Sequence, residues 1–166
     1  MGAGKGEIML LKSYDIRLNE DKTTKLVEVG SMEYVAEHMG FTRPEYIADM
    51  MKSVFDVDNL ATEHVYVLAM NSKNRIIGIF ELSAGTMDST VLGTRELFQR
   101  LLLIGAVQFV VIHNHCSGDT EPSKVDLKTT AQIEDASKLL GINFIDHIIV
   151  GTEGYYSMAE HDIMNC

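Results

Sequence analysis

Apolar and polar residues alternate from Ser13 to Leu18, with Tyr14, Ile16 and Leu18 on one side, and do so again from Lys25 to Val29 around Leu26 and Val27. A two-residue period is that of a half-buried strand, so the chain opens on two edge strands or a hairpin. From Ser31 the spacing of Met32, Tyr34, Val35 and Met39 predicts a short helix, capped by Ser31 and ended by Gly40. Thr42-Arg43-Pro44-Glu45 has the form of a capping box with proline in the first turn, and Ile47, Met50, Met51 and Val54 follow at helical spacing. Glu63 to Met70 and Arg75 to Leu82 read as two strands joined by the polar turn Asn71-Ser72-Lys73-Asn74, with Val65, Val67 and Ala69 on one face.

Ser83 to Gly93 is small and polar, a loop suited to form one wall of a cleft. Thr94 then caps a helix carrying Leu97, Leu101 and Ile104, and Gly105 ends it. Val107 to Ile112 is short and rich in β-branched residues, the signature of a buried strand. Beyond the turn residues Ser117, Gly118, Asp119 and Pro122, Ser123 opens a helix with Leu127, Ala131, Ile133, Ala136, Leu139 and Leu140 on its apolar positions, closed by Gly141. Ile142 to Val150 is a buried strand, 151–154 a turn, and Tyr155 to Met158 a last strand. The expected organisation is one globular unit: a disordered N-terminus or cloning remnant over 1–12, N-terminal strands and helices packed on the core over 13–60, and the main domain over 61–166.

Composition narrows what this unit does. With 166 residues, nearly half of them hydrophobic, the chain can bury a core. Leu101 to Ile112 is its longest apolar run, and Gly105 divides it, so no membrane-spanning helix is expected. Met1 to Gly6 lacks the apolar centre of a secretory leader, and Cys116 and Cys166 do not make a disulfide framework; both point to the cytoplasm. A net charge of −10 without a lysine–arginine cluster argues against direct nucleic-acid binding, which draws most of its affinity from cations on phosphates.

The chemistry is concentrated between Val110 and Asp126. His113 and His115 are two apart at a strand end and share a face; Asp126 sits in the first turn of the helix that Ser123 begins. Strand end, loop and helix start together bring two imidazoles and one carboxylate to a point. That set suits zinc, and three protein ligands leave the fourth position open for a water whose pKa the metal lowers to about 7. Without further context a His-x-His at a strand end is more often a pair of satisfied histidines.

Context is supplied by the whole spacing: His-x-His, seven residues, Ser, two residues, Asp. It resembles the JAMM (MPN+) metallopeptidase motif, and His113-Asn114-His115-x-Ser117-Gly118-Asp119 resembles the RadC family within it. Asn74-Arg75-Ile76-Ile77, Glu81, Gly85-Thr86, Arg95-Glu96, Leu140-Gly141-Ile142, Asp146-His147 and Tyr156-Ser157 extend the likeness from about Ser31 to Glu160. Cys116 and Thr120 stand where the family usually has proline, which touches loop rigidity and not ligand identity. The resemblance implies an α/β fold, a cytidine-deaminase-like (JAB/MPN) sandwich with a mixed β-sheet and helices on both faces. Zinc deaminases share that shape, but their His-x-Glu and Pro-Cys-x-x-Cys elements are absent.

What the resemblance implies for function is hydrolysis of an amide, peptide or isopeptide, by a zinc metallopeptidase. His113, His115 and Asp126 would hold Zn2+, Glu81 would be the general base, and Ser123 would donate to the oxyanion or cap its helix. Cys116 stands between a fourth, thiolate ligand that closes the site and a plain loop residue, and the second reading is preferred. Asp146 and His147 stand between a role supporting the ligands from behind and that of a satisfied core pair, and the second reading is preferred; His38, His64 and His161 have no partner at ligand spacing, and Arg95 and Glu96 are kept out of the site. The alternative from another class is a non-catalytic RadC-like interaction module working with DNA-repair or DNA-processing proteins, although no helix-hairpin-helix pattern precedes the domain. The substrate is not specified, and an exposed hairpin edge would let a second copy pair to form a homo-oligomer.

Overall fold

In a computed structural model, residues 7–36, 41, 43–85 and 93–164 are described. A hairpin of β1 (Glu7–Leu18) and β2 (Thr24–Ala36) leads to α1 (Pro44–Phe55), a short 3-10 turn and a second hairpin of β3 (Glu63–Met70) and β4 (Ile76–Gly85). Helix α2 (Thr94–Ile104), β5 (Gln108–Asn114), α3 (Lys124–Leu140), β6 (Asn143–Gly151) and β7 (Gly154–Ser157) follow. The seven strands form one sheet in the order β2-β1-β4-β3-β5-β6-β7. It is mixed: β1 with β4 and β5 with β6 run parallel, and the other neighbours are antiparallel.

The sheet is covered on both sides, which makes it the α/β sandwich expected. On one face α1 sets Ile47, Met50 and Met51 against Leu68, Ile79 and Ile112. On the other, α2 and α3 set Leu97, Leu101 and Ile133 against Val67, Phe80 and Val111. The interior strand β5 is buried along its whole length, which explains why Val110, Val111 and Ile112 are all apolar rather than alternating. Gly105 ends α2 at φ 73° and Gly141 ends α3 at φ 68°, left-handed closures that glycine adopts without a Cβ penalty. Among the described residues, no helix is long and apolar enough to cross a membrane.

Several sequence expectations need correction. Glu7–Lys12 are not disordered: they form the first half of β1, with Leu11 buried, while residues 1–6 lie outside the described set. Ser31–Ala36 is not a helix but the end of β2, paired with Lys12 back to Glu7. Met32, Tyr34 and Ala36 turn inward and Ser31, Glu33 and Val35 outward, a period of two that a sparse set of apolar residues had disguised as helical. The proposed helix end at 39–40 lies outside the described residues. Helix α1 starts at Pro44 as expected but on Arg43, without a side-chain cap, and α2 starts on Gly93 with Thr94 as its first residue. Strand β4 runs on to Gly85, and the rest of the expected loop, 86–92, is not described.

Candidate metal centre

β5 delivers His113 on the α2/α3 face, in register with Val65 of β3 and Ile149 of β6, and wholly buried. The chain leaves β5 at Asn114, but the His115 backbone N–H still donates to the Val150 carbonyl at 3.2 Å, so His115 stays beside His113. A turn closed by Gly118 N–H on the His115 carbonyl (2.9 Å), with Gly118 at φ 80°, carries the chain to α3. There the capping box forms in both directions. Ser123 Oγ accepts from Asp126 N–H at 3.2 Å, and Asp126 Oδ2 accepts from Ser123 N–H at 2.7 Å.

The three side chains meet as the sequence predicted, with one ligand atom of each within 4.8 Å of the others. Nε2 of His113 is 3.0 Å from Nε2 of His115 and 3.3 Å from Asp126 Oδ1; His115 Nε2 is 3.4 Å from Asp126 Oδ2. Each residue is held from outside by its other polar atom. His115 Nδ1–H donates to the Asp119 carbonyl at 2.8 Å, leaving Nε2 to face inward. The capping box holds Asp126 by Oδ2, leaving Oδ1 without a backbone bond. Nδ1 of His113 meets Nε2 of His147 at 2.9 Å, His147 Nδ1 meets Thr130 Oγ1 at 2.6 Å, and Thr130 reaches the Asp126 carbonyl at 2.7 Å.

Electrostatics follow from this packing. Burial alone would raise the Asp126 pKa, but the imidazoles of His113 and His115 and the Ser123 contact outweigh it and hold the carboxyl far below the usual range. His115 is raised, first by its contact with Asp126, against the opposing effect of burial, and further by the Asp119 carbonyl and the charges of Asp126 and Glu63. His147 is lowered well below 6.5, chiefly by complete burial and then by neighbouring His113, so it is neutral at pH 7.

Glu81 does not join this cluster. It is in register with Tyr66 and follows Ile79 on the α1 face, the opposite side of the sheet from His113. Its Oε1 contacts His64 Nδ1 at 2.5 Å, and His64 stacks on Tyr66. Strand parity makes the correction: Phe80 has the metal face of β4 and Glu81 has the other.

A carboxylate that does lie on the face of His113 is Glu63. It lies two residues before Val65, the partner of His113, so continuing the antiparallel register sets it opposite His115. Glu63 is half-buried, and its charge is one of those that raise the His115 pKa. Asn114 pins the backbone on either side of it: Oδ1 accepts from His64 N–H at 2.7 Å, and Nδ2 donates to the Thr62 carbonyl at 3.1 Å. A signal was present in the sequence, because Val65, Val67 and Ala69 share a face and Glu63 has the same parity.

The remaining candidates separate cleanly. Cys116 is an exposed free thiol outside the three-residue group. Asp146 is buried and accepts from Ser157 Oγ (2.5 Å) and Ala159 N–H (3.0 Å), tying β6 to the chain after β7. His161 stacks on Tyr156 and is outside the three-residue group, and His38 lies outside the described residues.

Comparison with known proteins gives a concordant result. The model of the RadC-like JAB domain matches residues 41–163. A UPF0758 protein of Staphylococcus haemolyticus is 37% identical over 136 residues, which is 80% of this chain and 59% of that protein. One from Rubrobacter xylanophilus is 40% identical over 108 residues, 65% of this chain and 47% of its own length. Another, from Staphylococcus carnosus, is 34% identical over 155 residues, 91% and 68% respectively. The chain thus spans about half to three-fifths of the first two relatives.

Proposed function

The chain belongs to the RadC family of JAB-domain proteins, and on that premise we propose that it is a zinc-dependent hydrolase of peptide or isopeptide bonds. The observation that carries this reading is the spacing of the three inward-facing ligand groups. Nε2 of His113 and Nε2 of His115 are 3.0 Å apart, Asp126 Oδ1 is 3.3 Å from the first and Oδ2 3.4 Å from the second, and one ligand atom of each residue lies within 4.8 Å of the others, a spacing one metal ion can bridge. Two neutral imidazoles and one carboxylate form the donor set of catalytic zinc sites, which keep a fourth position open. Bound there, zinc supplies Lewis acidity toward a carbonyl and lowers the pKa of a water.

Residues of the chain provide the rest. Glu63, opposite His115, takes the proton released by the attacking water and passes it to the leaving amine. It replaces Glu81, which faces the other side of the sheet. Ser123 has two duties that do not compete. Its oxygen accepts from Asp126 N–H to cap α3, and its hydroxyl proton remains available to the oxyanion. The acidic balance of the chain keeps nucleic acid out of the proposed substrate range, and a soluble cytoplasmic setting accords with a free exposed thiol.

The test begins with elemental analysis of protein purified without chelator, beside His113→Ala and Asp126→Ala. One zinc per chain, lost in both variants, is the expected result and leads to a screen of peptide and isopeptide substrates with Glu63→Gln as control. Absence of zinc after reconstitution would end the metal reading; zinc with no amide turnover across the screen would favour an interaction module.

A further inference from the structure

We propose that Thr130 and His147 decide whether His113 is a metal ligand, by setting the direction of one hydrogen-bond chain that starts at His113 and ends on the backbone carbonyl of Asp126. A neutral imidazole has one N–H and one lone pair, and a threonine hydroxyl has one proton. The four groups are in contact in sequence, at 2.9, 2.6 and 2.7 Å, so the proton position at one end dictates every other.

Two orders are available. In the first, Thr130 donates to the Asp126 carbonyl, an atom that can only accept. Thr130 Oγ1 then accepts from His147 Nδ1–H, His147 Nε2 accepts from His113 Nδ1–H, and His113 Nε2 presents its lone pair to the cluster. In the second, Thr130 donates to His147, His147 donates to His113, and the His113 proton sits on Nε2, 3.3 Å from Asp126 Oδ1. Only the first order leaves His113 able to bind a metal. Met158 Sδ also lies 3.1 Å from the hydroxyl, but a thioether is a weak acceptor and does not rival the carbonyl.

This gives His147 an unusual duty. A ligand histidine commonly donates its outer N–H to a carboxylate or carbonyl, which fixes its tautomer unaided. His147 and the Thr130 hydroxyl are both reversible, and the fixed acceptor lies beyond them, in the backbone carbonyl of the ligand Asp126. Thr130 stands one turn after Asp126 on α3, so the same helix turn presents one ligand and sets the proton order of another. His147 and Thr130 are positioning residues, and the chain couples the two sides of the site.

The inference rests on the metal reading of the site but not on hydrolysis. Its test is Thr130→Val, which keeps the shape and removes the hydroxyl, with Thr130→Ser as rescue. In the valine protein the metal-ready order leaves a buried His147 N–H without an acceptor, a rarer and costlier defect than an idle lone pair. Zinc affinity, measured by competition with a chromophoric chelator, should fall about 10–100-fold in Thr130→Val and return with serine. Long-range 1H–15N spectra should find His113 and His147 both protonated on Nδ1 in the zinc-loaded wild type, and a melting curve of the metal-free variant checks its fold. Equal affinity in folded Thr130→Val, or His147 protonated on Nε2 in the zinc-loaded wild type, overturns the inference and leaves the metal reading standing. No zinc on the wild type removes both.

Discussion

Replacing Ser123 by alanine separates two duties that meet at one oxygen. Ser123 Oγ accepts from Asp126 N–H at 3.2 Å, so alanine removes half of a reciprocal capping box. Loss of a serine N-cap costs about 1 kcal/mol, within a range of 0.5–2. In a domain of this size each kcal/mol lowers the melting temperature by roughly 2–4 °C, so metal-free Ser123→Ala should melt about 2–4 °C below the wild type. Glycine is the informative companion, because as an N-cap it costs only a few tenths of a kcal/mol yet offers no hydroxyl. Ser123→Gly should therefore recover most of the stability. If the hydroxyl proton serves the oxyanion, both variants should lose about 10²–10³-fold in turnover, the usual effect of removing one such donor. Calorimetry and zinc titration come first, then turnover on an amide found in the screen. An unchanged melting temperature in Ser123→Ala refutes the cap; full turnover in a stable, zinc-loaded Ser123→Gly refutes the oxyanion role.

Three further outcomes follow from the same geometry. Glu63→Gln should retain zinc and lose turnover about 10²–10⁴-fold, while Glu81→Gln changes neither by much; the opposite ranking would restore Glu81 as the base. The raised pKa of His115 gives the metal-free protein stability that is fully present below about 6.5 and lost as pH rises through the folded value, whereas zinc must displace that proton, so its affinity should strengthen over the same interval. Melting curves and chelator competition across pH 5–8 should show these opposite slopes, and parallel slopes would sink the assignment. Gly151→Ala should cost about 1–3 kcal/mol and weaken zinc binding, because its Cβ would collide with the Gly118 carbonyl and press on Thr120, in the loop that carries the Asp119 acceptor of His115; an alanine variant with wild-type zinc affinity would uncouple that loop from the site.

Features set by local chemistry were legible in the sequence. The capping box of Ser123 and Asp126, the β-branched run before His113 and the glycines closing α2 and α3 all depend on neighbours within a few residues, and the three proposed ligands meet where those signals put them. Features set by pairing were not. Ser31–Ala36 carries enough apolar residues for either period, and only the extension of β1 through Glu7–Lys12 gives it a partner to lie against as a strand. Glu81 enters as the base through the family resemblance, but the face of a strand residue depends on parity and on bulges. The shift between Val65 and Tyr66 sets Ser83 opposite Val65 and Glu81 opposite Tyr66, with Leu82 between them and packed on the α2/α3 side. The apolar strand around His147 fits a core histidine as well as one that backs a ligand; that its buried partners are His113 and Thr130 follows only from the packing of α3 and β5 against β6.

Asn114 ties the His113–His115–Asp126 cluster and the proposed acid–base group, Glu63, into one construction. It stands between the two ligand histidines and points away from them, so its side chain takes no part in the cluster. It continues the β5–β3 contact with its amide instead of its backbone, on His64 N–H and the Thr62 carbonyl, the groups that bracket Glu63. A one-residue slip of β5 against β3 would therefore move both ligand histidines to the other face and release the backbone of Glu63 at the same time. A fold kept only for surface contacts would need the apolar faces of the sheet and nothing of this clamp. The proposed hydrolase needs both groups in fixed relation, and a buried amide that ties the strand of His113 to the strand of Glu63 supplies that relation at the point where the backbone ladder ends.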